Sequence, residues 1–178
     1  TAPFLRHQFR RLSRTREATL VKGLTFAGAT WPGIVFWDDV RTVDYLVTRP
    51  DVDPARIGCE GVSMGGYFSH HAGCMREGIR AVAPHSGGTH DLAACPVAKK
   101  PIIIFHGTAD GVISVGCDDP SATPPVGVTP SALAWAQHNG CATTTTTVAV
   151  TGATCKLYDN CPEGGQVQIC TFAGMGHC

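Results

Sequence analysis

Apolar positions along the chain change their spacing in a way that separates helices from strands. Between Trp37 and Arg49, the apolar Val40, Val43, Leu46 and Val47 recur at helical intervals, with Asp38, Asp39 and Asp44 on other faces. That spacing predicts an amphipathic helix. Its early acids suit the positive end of the dipole, and Arg49-Pro50 ends it. Ile102 to Phe105 run without a polar break, which predicts a strand buried on both faces, as in a parallel sheet. Arg56 to Glu60 and Arg80 to Pro84 predict two more short strands. Gly66 to Cys74 predicts a helix between them. Pro130 to His138 predicts another helix, with proline in its first turn and Asn139-Gly140 as its stop. Thr143–Thr147 with Val148 and Val150 is β-branched and predicts a strand. Gln166 to Phe172 alternates polar and apolar residues, as a strand open on one face does. Residues 23–36 are glycine-rich, and Trp31-Pro32 predicts a break there, hence a loop packed on the core. Strand, helix and strand alternate at βαβ spacing, the mark of an α/β fold. The expected division is a basic N-terminal segment, 1–22, and a single α/β domain, 23–178.

Composition narrows the function classes. The chain has 178 residues, enough for one domain with a real core. Fourteen basic and fourteen acidic residues give zero formal charge, so nothing draws the chain generally to nucleic acid or to an anionic membrane. The basic run at 6–22, set against Glu17 alone, reads as a solvated helix or a leader. No run approaches the ~18–20 apolar residues of a membrane span. Nine cysteines are many for this length, and six follow residue 116: Cys117, Cys141, Cys155, Cys161, Cys170 and Cys178. Without C-x-x-C spacing, zinc is not expected. Cysteines among threonine- and glycine-rich loops point instead to disulfides and a secreted or otherwise extracytoplasmic location. Cys59, inside a strand, reads as a small buried hydrophobe, and the odd total leaves at least one thiol unbridged within the chain.

Three stretches carry candidate chemistry. Gly61-Val62-Ser63-Met64-Gly65 reads G-x-S-x-G between a predicted strand and a predicted helix, the context a nucleophile elbow needs. The glycines flanking Ser63 by two positions let neighbouring segments approach. The hydroxyl then lies by a helix N-terminus, where backbone N–H groups steady an oxyanion. The apolar strand at 101–106 ends in Gly107-Thr108-Ala109-Asp110, and Gly174-Met175-Gly176-His177 closes the chain. Asp110 is preferred over Asp118 and Asp119 because it sits just past a buried strand. His85 follows a strand at the ligand-binding edge of the sheet and is expected to face the site. His70, His71 and His90 are expected at the surface or in loops, with no metal-ligating spacing.

The order Ser63, Asp110, His177 is that of the α/β-hydrolase triad. The chain resembles the serine esterases of that superfamily over roughly residues 34–178. Asp51 to Gly58, leading into the elbow, is similar to dienelactone-hydrolase and acetyl-xylan-esterase relatives. The HGTAD turn, Trp135 with Asn139-Gly140-Cys141, the Cys155 and Cys161 segment and the final G-x-G-H are similar to the feruloyl esterase and polyhydroxyalkanoate depolymerase group. The resemblance implies an α/β-hydrolase-type, mostly parallel sheet with helices on both faces. It implies a Ser63 nucleophile, a His177 base, an orienting Asp110, and the Met64 N–H as one oxyanion donor. It implies no cofactor and no metal, and an ester substrate, small or polymeric, such as acyl groups of plant polysaccharide or a polyester. It also implies the pairs Cys141–Cys155, Cys161–Cys170 and Cys74–Cys95. The pattern departs in one place. A second oxyanion donor normally comes from an early glycine-containing loop, and Gly23–Gly33 is the only such stretch before Ser63. The domain is therefore expected to be shortened on its N-terminal side. The rival readings are an incomplete, non-catalytic hydrolase-like domain and a prolyl-oligopeptidase-type peptidase.

Overall fold

The computed structural model describes residues 16–88, 92–115 and 127–177. Arg6, Arg10, Arg11, Arg14, His90, Cys117, Asp118, Asp119 and Cys178 lie outside them. The chain divides into two compact units, Thr1–Thr42 and Val43–Cys178. In the first, residues 16–26 form helix α1, largely exposed. Helix α2 then runs Trp31–Leu46, across the division. The expected loop at 23–36 is therefore helical over much of its length. Trp31-Pro32 starts a helix where a break was expected. The Thr30 hydroxyl oxygen accepts from the Gly33 N–H at 3.1 Å, an N-cap, and Pro32 lies in the first turn, where its missing N–H costs nothing. Asp38 and Asp39 fall well inside α2, so they do not cap it. Burial, then the neighbouring Asp38, raises the Asp39 carboxyl above its ordinary value.

The second unit is built on one six-stranded sheet. Its strands are β1 (Gly58–Val62), β2 (Ala81–His85), β3 (Ile102–Gly107), β4 (Thr145–Val150), β5 (Ala153–Tyr158) and β6 (Val167–Phe172). The spatial order is β1-β2-β3-β6-β5-β4. Pairs β1–β2, β2–β3 and β3–β6 are parallel, while β5 pairs antiparallel with β6 and with β4. The fold is α/β. Helix α3 (Met64–Met75) links β1 to β2 and packs on both; α4 (Val128–Asn139) packs on β3 and β6. β5 is the strand the pattern did not predict, because its Thr-Cys-Lys-Leu-Tyr run lies between two glycine- and asparagine-bearing turns.

The core follows from the apolar run of β3. Ile102 and Ile104 are buried, as are Val82 of β2, Val167 and Ile169 of β6, and Val128, Ala132, Trp135 and Ala136 of α4. His70 of α3 is 0 % exposed, against the expected surface position. It accepts a 2.9 Å hydrogen bond from the Trp135 indole N–H through Nδ1, which joins α3 to α4. Gly140, at φ 80°, ends α4 as expected. The Asn139 side chain is buried. Its amide N–H groups donate to the carbonyls of Lys100 (2.7 Å) and Gly165 (2.9 Å), and its oxygen accepts from the Lys100 N–H. That ties the residues before β3 to those before β6 and sets the two strands side by side.

Among the described residues three disulfides are formed: Cys74–Cys95, Cys141–Cys161 and Cys155–Cys170. The first is the pair the resemblance implies. The implied Cys141–Cys155 and Cys161–Cys170 are exchanged. The reason is register: in the β5–β6 pair, Cys155 stands directly opposite Cys170. Cys141 then meets Cys161, because the segments after α4 and after β5 are joined by the Ala142 N–H to Asp159 carbonyl bond at 2.9 Å. Cys59, expected buried, is only half-buried on β1, with its Sγ 3.6 Å from the Ser69 hydroxyl.

Candidate active site

The C-terminal ends of β1, β2, β3 and β6 converge on one edge of the sheet. The parallel register sets Val62 beside His85 and Gly107 beside Phe172, so the residues that follow these strands lie together. Ser63 comes directly after β1 and before α3, at φ 57° and ψ −116°. For a residue with a Cβ this is a left-handed position of about 1–3 kcal/mol strain. Hydrogen bonds hold it there: the Ser63 N–H donates to the His85 carbonyl at 2.9 Å, and the Ser63 carbonyl accepts from Tyr67 at 3.1 Å. Gly61 is required, since a Cβ there would strike the backbone of Gly65. Gly65 itself faces open space; its backbone is what needs the room. A second contact sets how closely α3 approaches β2: a Cβ on Gly66 would lie 2.7 Å from the His85 carbonyl oxygen.

The turn after β3 is laced to the loop after β6. The Thr108 N–H donates to Phe172 and the Ala109 N–H to Met175, both at 2.9 Å, and the Gly174 N–H donates to the Thr108 hydroxyl at 2.9 Å. Gly107 makes this possible, because a Cβ there would collide with the Met175 carbonyl. The HGTAD turn and the G-x-G-H end thus form one unit, which carries Asp110 and His177.

These side chains meet. His177 Nε2 is 2.7 Å from Ser63 Oγ, and His177 Nδ1 is 2.8 Å from Asp110 Oδ2. The Asp110 side chain is fully buried, and that of His177 is 20 % exposed. Asp110 Oδ1 accepts from the Val112 and Ile113 N–H groups at 2.8 and 2.9 Å. Burial pushes the Asp110 carboxyl up. The Ile113 N–H, His177, the Val112 N–H and nearby His106 outweigh that and hold it at about 2. Met64 is the first residue of α3, so its N–H is one of the donors a helix start leaves over. His85 is half-buried at the end of β2, edge-on to the Phe105 ring at 6.3 Å. The Gly23–Gly33 stretch runs through α1, a turn and the first turn of α2.

One residue beside the site escaped the sequence pattern. His106 is 0 % exposed near the end of β3, with Nε2 3.2 Å from Asp110 Oδ2 and 2.8 Å from the Ile113 carbonyl oxygen. The available signal was a histidine closing a strand with both faces buried, where a polar ring needs a partner. Among the described residues no group of histidine, cysteine and acidic side chains has the makings of a metal site.

Comparison with known proteins agrees with this architecture. The chain is 32 % identical to feruloyl esterase B of Piromyces equi over 93 % of its own length and 36 % of that protein's. It is 34 % identical to the bifunctional acetylxylan esterase/xylanase XynS20E of Neocallimastix patriciarum over 42 % of its length and 11 % of that protein's. The chain thus spans about a third or less of the relatives it matches. Residues 26–119, which include the elbow and the HGTAD turn, match the model of the dienelactone hydrolase family. The chain belongs to the dienelactone hydrolase family and is related to feruloyl and acetylxylan esterases.

Proposed function

We propose that this chain is a serine carboxylic-ester hydrolase working through an acyl-enzyme. The observation that carries the reading is the hydrogen-bonded chain Ser63 Oγ, His177 and Asp110, at 2.7 and 2.8 Å. A serine hydroxyl is a poor nucleophile at neutral pH and needs an adjacent base. His177 Nε2 takes the Ser63 proton as Oγ attacks the ester carbonyl, then hands it to the leaving alcohol. Asp110 accepts from the Nδ1–H, which keeps the lone pair on Nε2, and stabilises the imidazolium while it exists. The Met64 N–H donates to the oxyanion. One such donor is worth roughly a hundredfold or more in rate. Water, activated by the same histidine, then releases the acid and restores Ser63. No step needs a metal or an organic cofactor.

The substrate class is acyl groups esterified to plant polysaccharide, or a polyester. The support is kinship with proteins named for feruloyl and acetylxylan esters. Three disulfides support an extracytoplasmic location, where such polymers lie. The test is hydrolysis of short-chain p-nitrophenyl esters by the wild-type chain beside Ser63→Ala. Loss of turnover in a folded Ser63→Ala variant is the expected result. A folded wild-type chain that neither hydrolyses these esters nor reacts with a fluorophosphonate at Ser63 would overturn it, in favour of a hydrolase-like domain that binds without catalysis.

A further inference from the structure

We infer that His106 is a positioning residue for Asp110: from near the end of β3 it lies against one oxygen of that carboxylate and holds Ile113, whose N–H binds the other. The inference rests on the proposed triad and extends it to a fourth side chain.

The geometry sets the argument. Asp110 lies in a turn beyond β3, not in the strand. A carboxylate on a turn can rotate about two side-chain torsions, and the productive rotamer has to be imposed. His106 belongs to the sheet: its Cα is in register with Thr171 of β6, and its ring is fully buried. From there Nε2 reaches two groups. It is 2.8 Å from the Ile113 carbonyl oxygen, to which an Nε2–H donates. It is also 3.2 Å from Asp110 Oδ2, the oxygen that holds His177. Ile113 returns the connection, because its own N–H donates to Asp110 Oδ1 at 2.9 Å. One N–H therefore bears on Oδ2 directly and on Oδ1 through Ile113. Its nitrogen stands 3.2 Å from Oδ2, and it holds the carbonyl of Ile113, the residue whose own N–H holds Oδ1 from the adjacent peptide. Its positive edge also offsets part of the cost of keeping a carboxylate fully buried.

The other ring nitrogen supports the same assignment. His106 Nδ1 is buried and has no hydrogen-bond partner. A buried histidine with one orphaned nitrogen is expensive to keep for packing alone, since an aliphatic side chain would fill the space without that penalty. With Nε2 protonated, the orphan is an acceptor lone pair, the smaller loss, and the proton stands where the carboxylate and the Ile113 carbonyl need it.

The experiment compares wild type with His106→Leu, His106→Gln and His106→Asn. The glutamine amide nitrogen reaches about as far as Nε2, whereas that of asparagine reaches only as far as Nδ1. Two rates are read in folded protein: p-nitrophenyl ester turnover, and fluorophosphonate labelling of Ser63, which needs the activated serine but no particular ester. Leucine and asparagine are expected to lower kcat and the labelling rate by about 10–100-fold, by analogy with the loss when a residue that orients a metal ligand is removed, with KM within about twofold. Glutamine is expected to recover most of the loss. If leucine destabilises the fold, the glutamine–asparagine pair carries the comparison. Equal rates in glutamine and asparagine variants, or a leucine variant as fast as wild type, would overturn the role of His106 and leave the triad standing. Failure of the wild type itself to label would overturn the triad and this inference together.

Discussion

At Ser63 the backbone is bent against its own preference so that a hydroxyl can project from the sheet edge. The strain is local, and two hydrogen bonds and the Gly61–Gly65 contact hold it. Asp110 shows the opposite economy. It is buried, which alone would favour the neutral acid, yet its hydrogen bonds keep it ionised down to about pH 2. The sign of the consequence follows from linkage. A carboxyl whose folded value lies below its unfolded value of 3.8 contributes stability that is fully present above about pH 4. That contribution is lost as pH falls toward 2. Asp110→Asn should therefore lower the urea midpoint at pH 6–7, and the gap to wild type should close as pH drops from 4 to 2. A gap that stays constant over that range would contradict the assignment. The same variant should lose about 10³–10⁴-fold in kcat, because an asparagine can favour the wrong tautomer of His177.

Among the elements, the turn after β3 and the loop after β6 act as one piece. Gly107 sits at their closest approach, under the Met175 carbonyl. Gly107→Ala should push that loop outward and carry His177 with it. An added methyl in a packed site costs about 1–3 kcal/mol, and a shift of about 1 Å in a catalytic group costs on the order of a hundredfold. The expected outcome is a lower melting temperature with kcat reduced at least tenfold and fluorophosphonate labelling slowed in parallel. A variant that melts earlier yet labels at the wild-type rate would show that the loop's position does not matter. The Cys155–Cys170 bridge works at the same scale. It links residues 15 apart across the β5–β6 pair, a loop whose closure is worth about 3 kcal/mol in the chain-entropy account, and it braces β6, from which the His177 loop departs.

Over the whole molecule, the described disulfides and the sheet depend on each other. Nine cysteines with six in three bridges leave at most three titratable thiols in unreduced, denatured protein. Ellman titration without reductant should count three or fewer, and non-reducing peptide maps should join Cys141 to Cys161 and Cys155 to Cys170. Nine thiols would remove both the bridges and the argument for an oxidising compartment. The parallel strands are legible by different signals: β2 and β3 by short apolar runs, β6 by its alternation of polar and apolar residues, and β1 by the glycine turn that follows it. β5 is not, since Lys156 interrupts its apolar residues and sits on the strand's exposed face, between β6 and β4. The first turns of α2 are missed for a related reason: Pro32 suppresses a helix in general but not in its first turn, and only the Thr30 cap decides which case applies.

The sequence by itself determined the parts that depend on neighbours along the chain: the elbow around Ser63, the strand ending before Asp110, the order of serine, acid and histidine, and the α/β alternation. Only the tertiary structure decided what depends on registry between distant segments. Cysteine pairing is one case, because being opposite across β5 and β6 counts for more than proximity in sequence. The buried place of His70 against Trp135 is another. His106 is the third: its four-residue spacing from Asp110 is visible in the sequence, but the shared contact with Asp110 and Ile113 exists only once the turn has folded back over the end of β3.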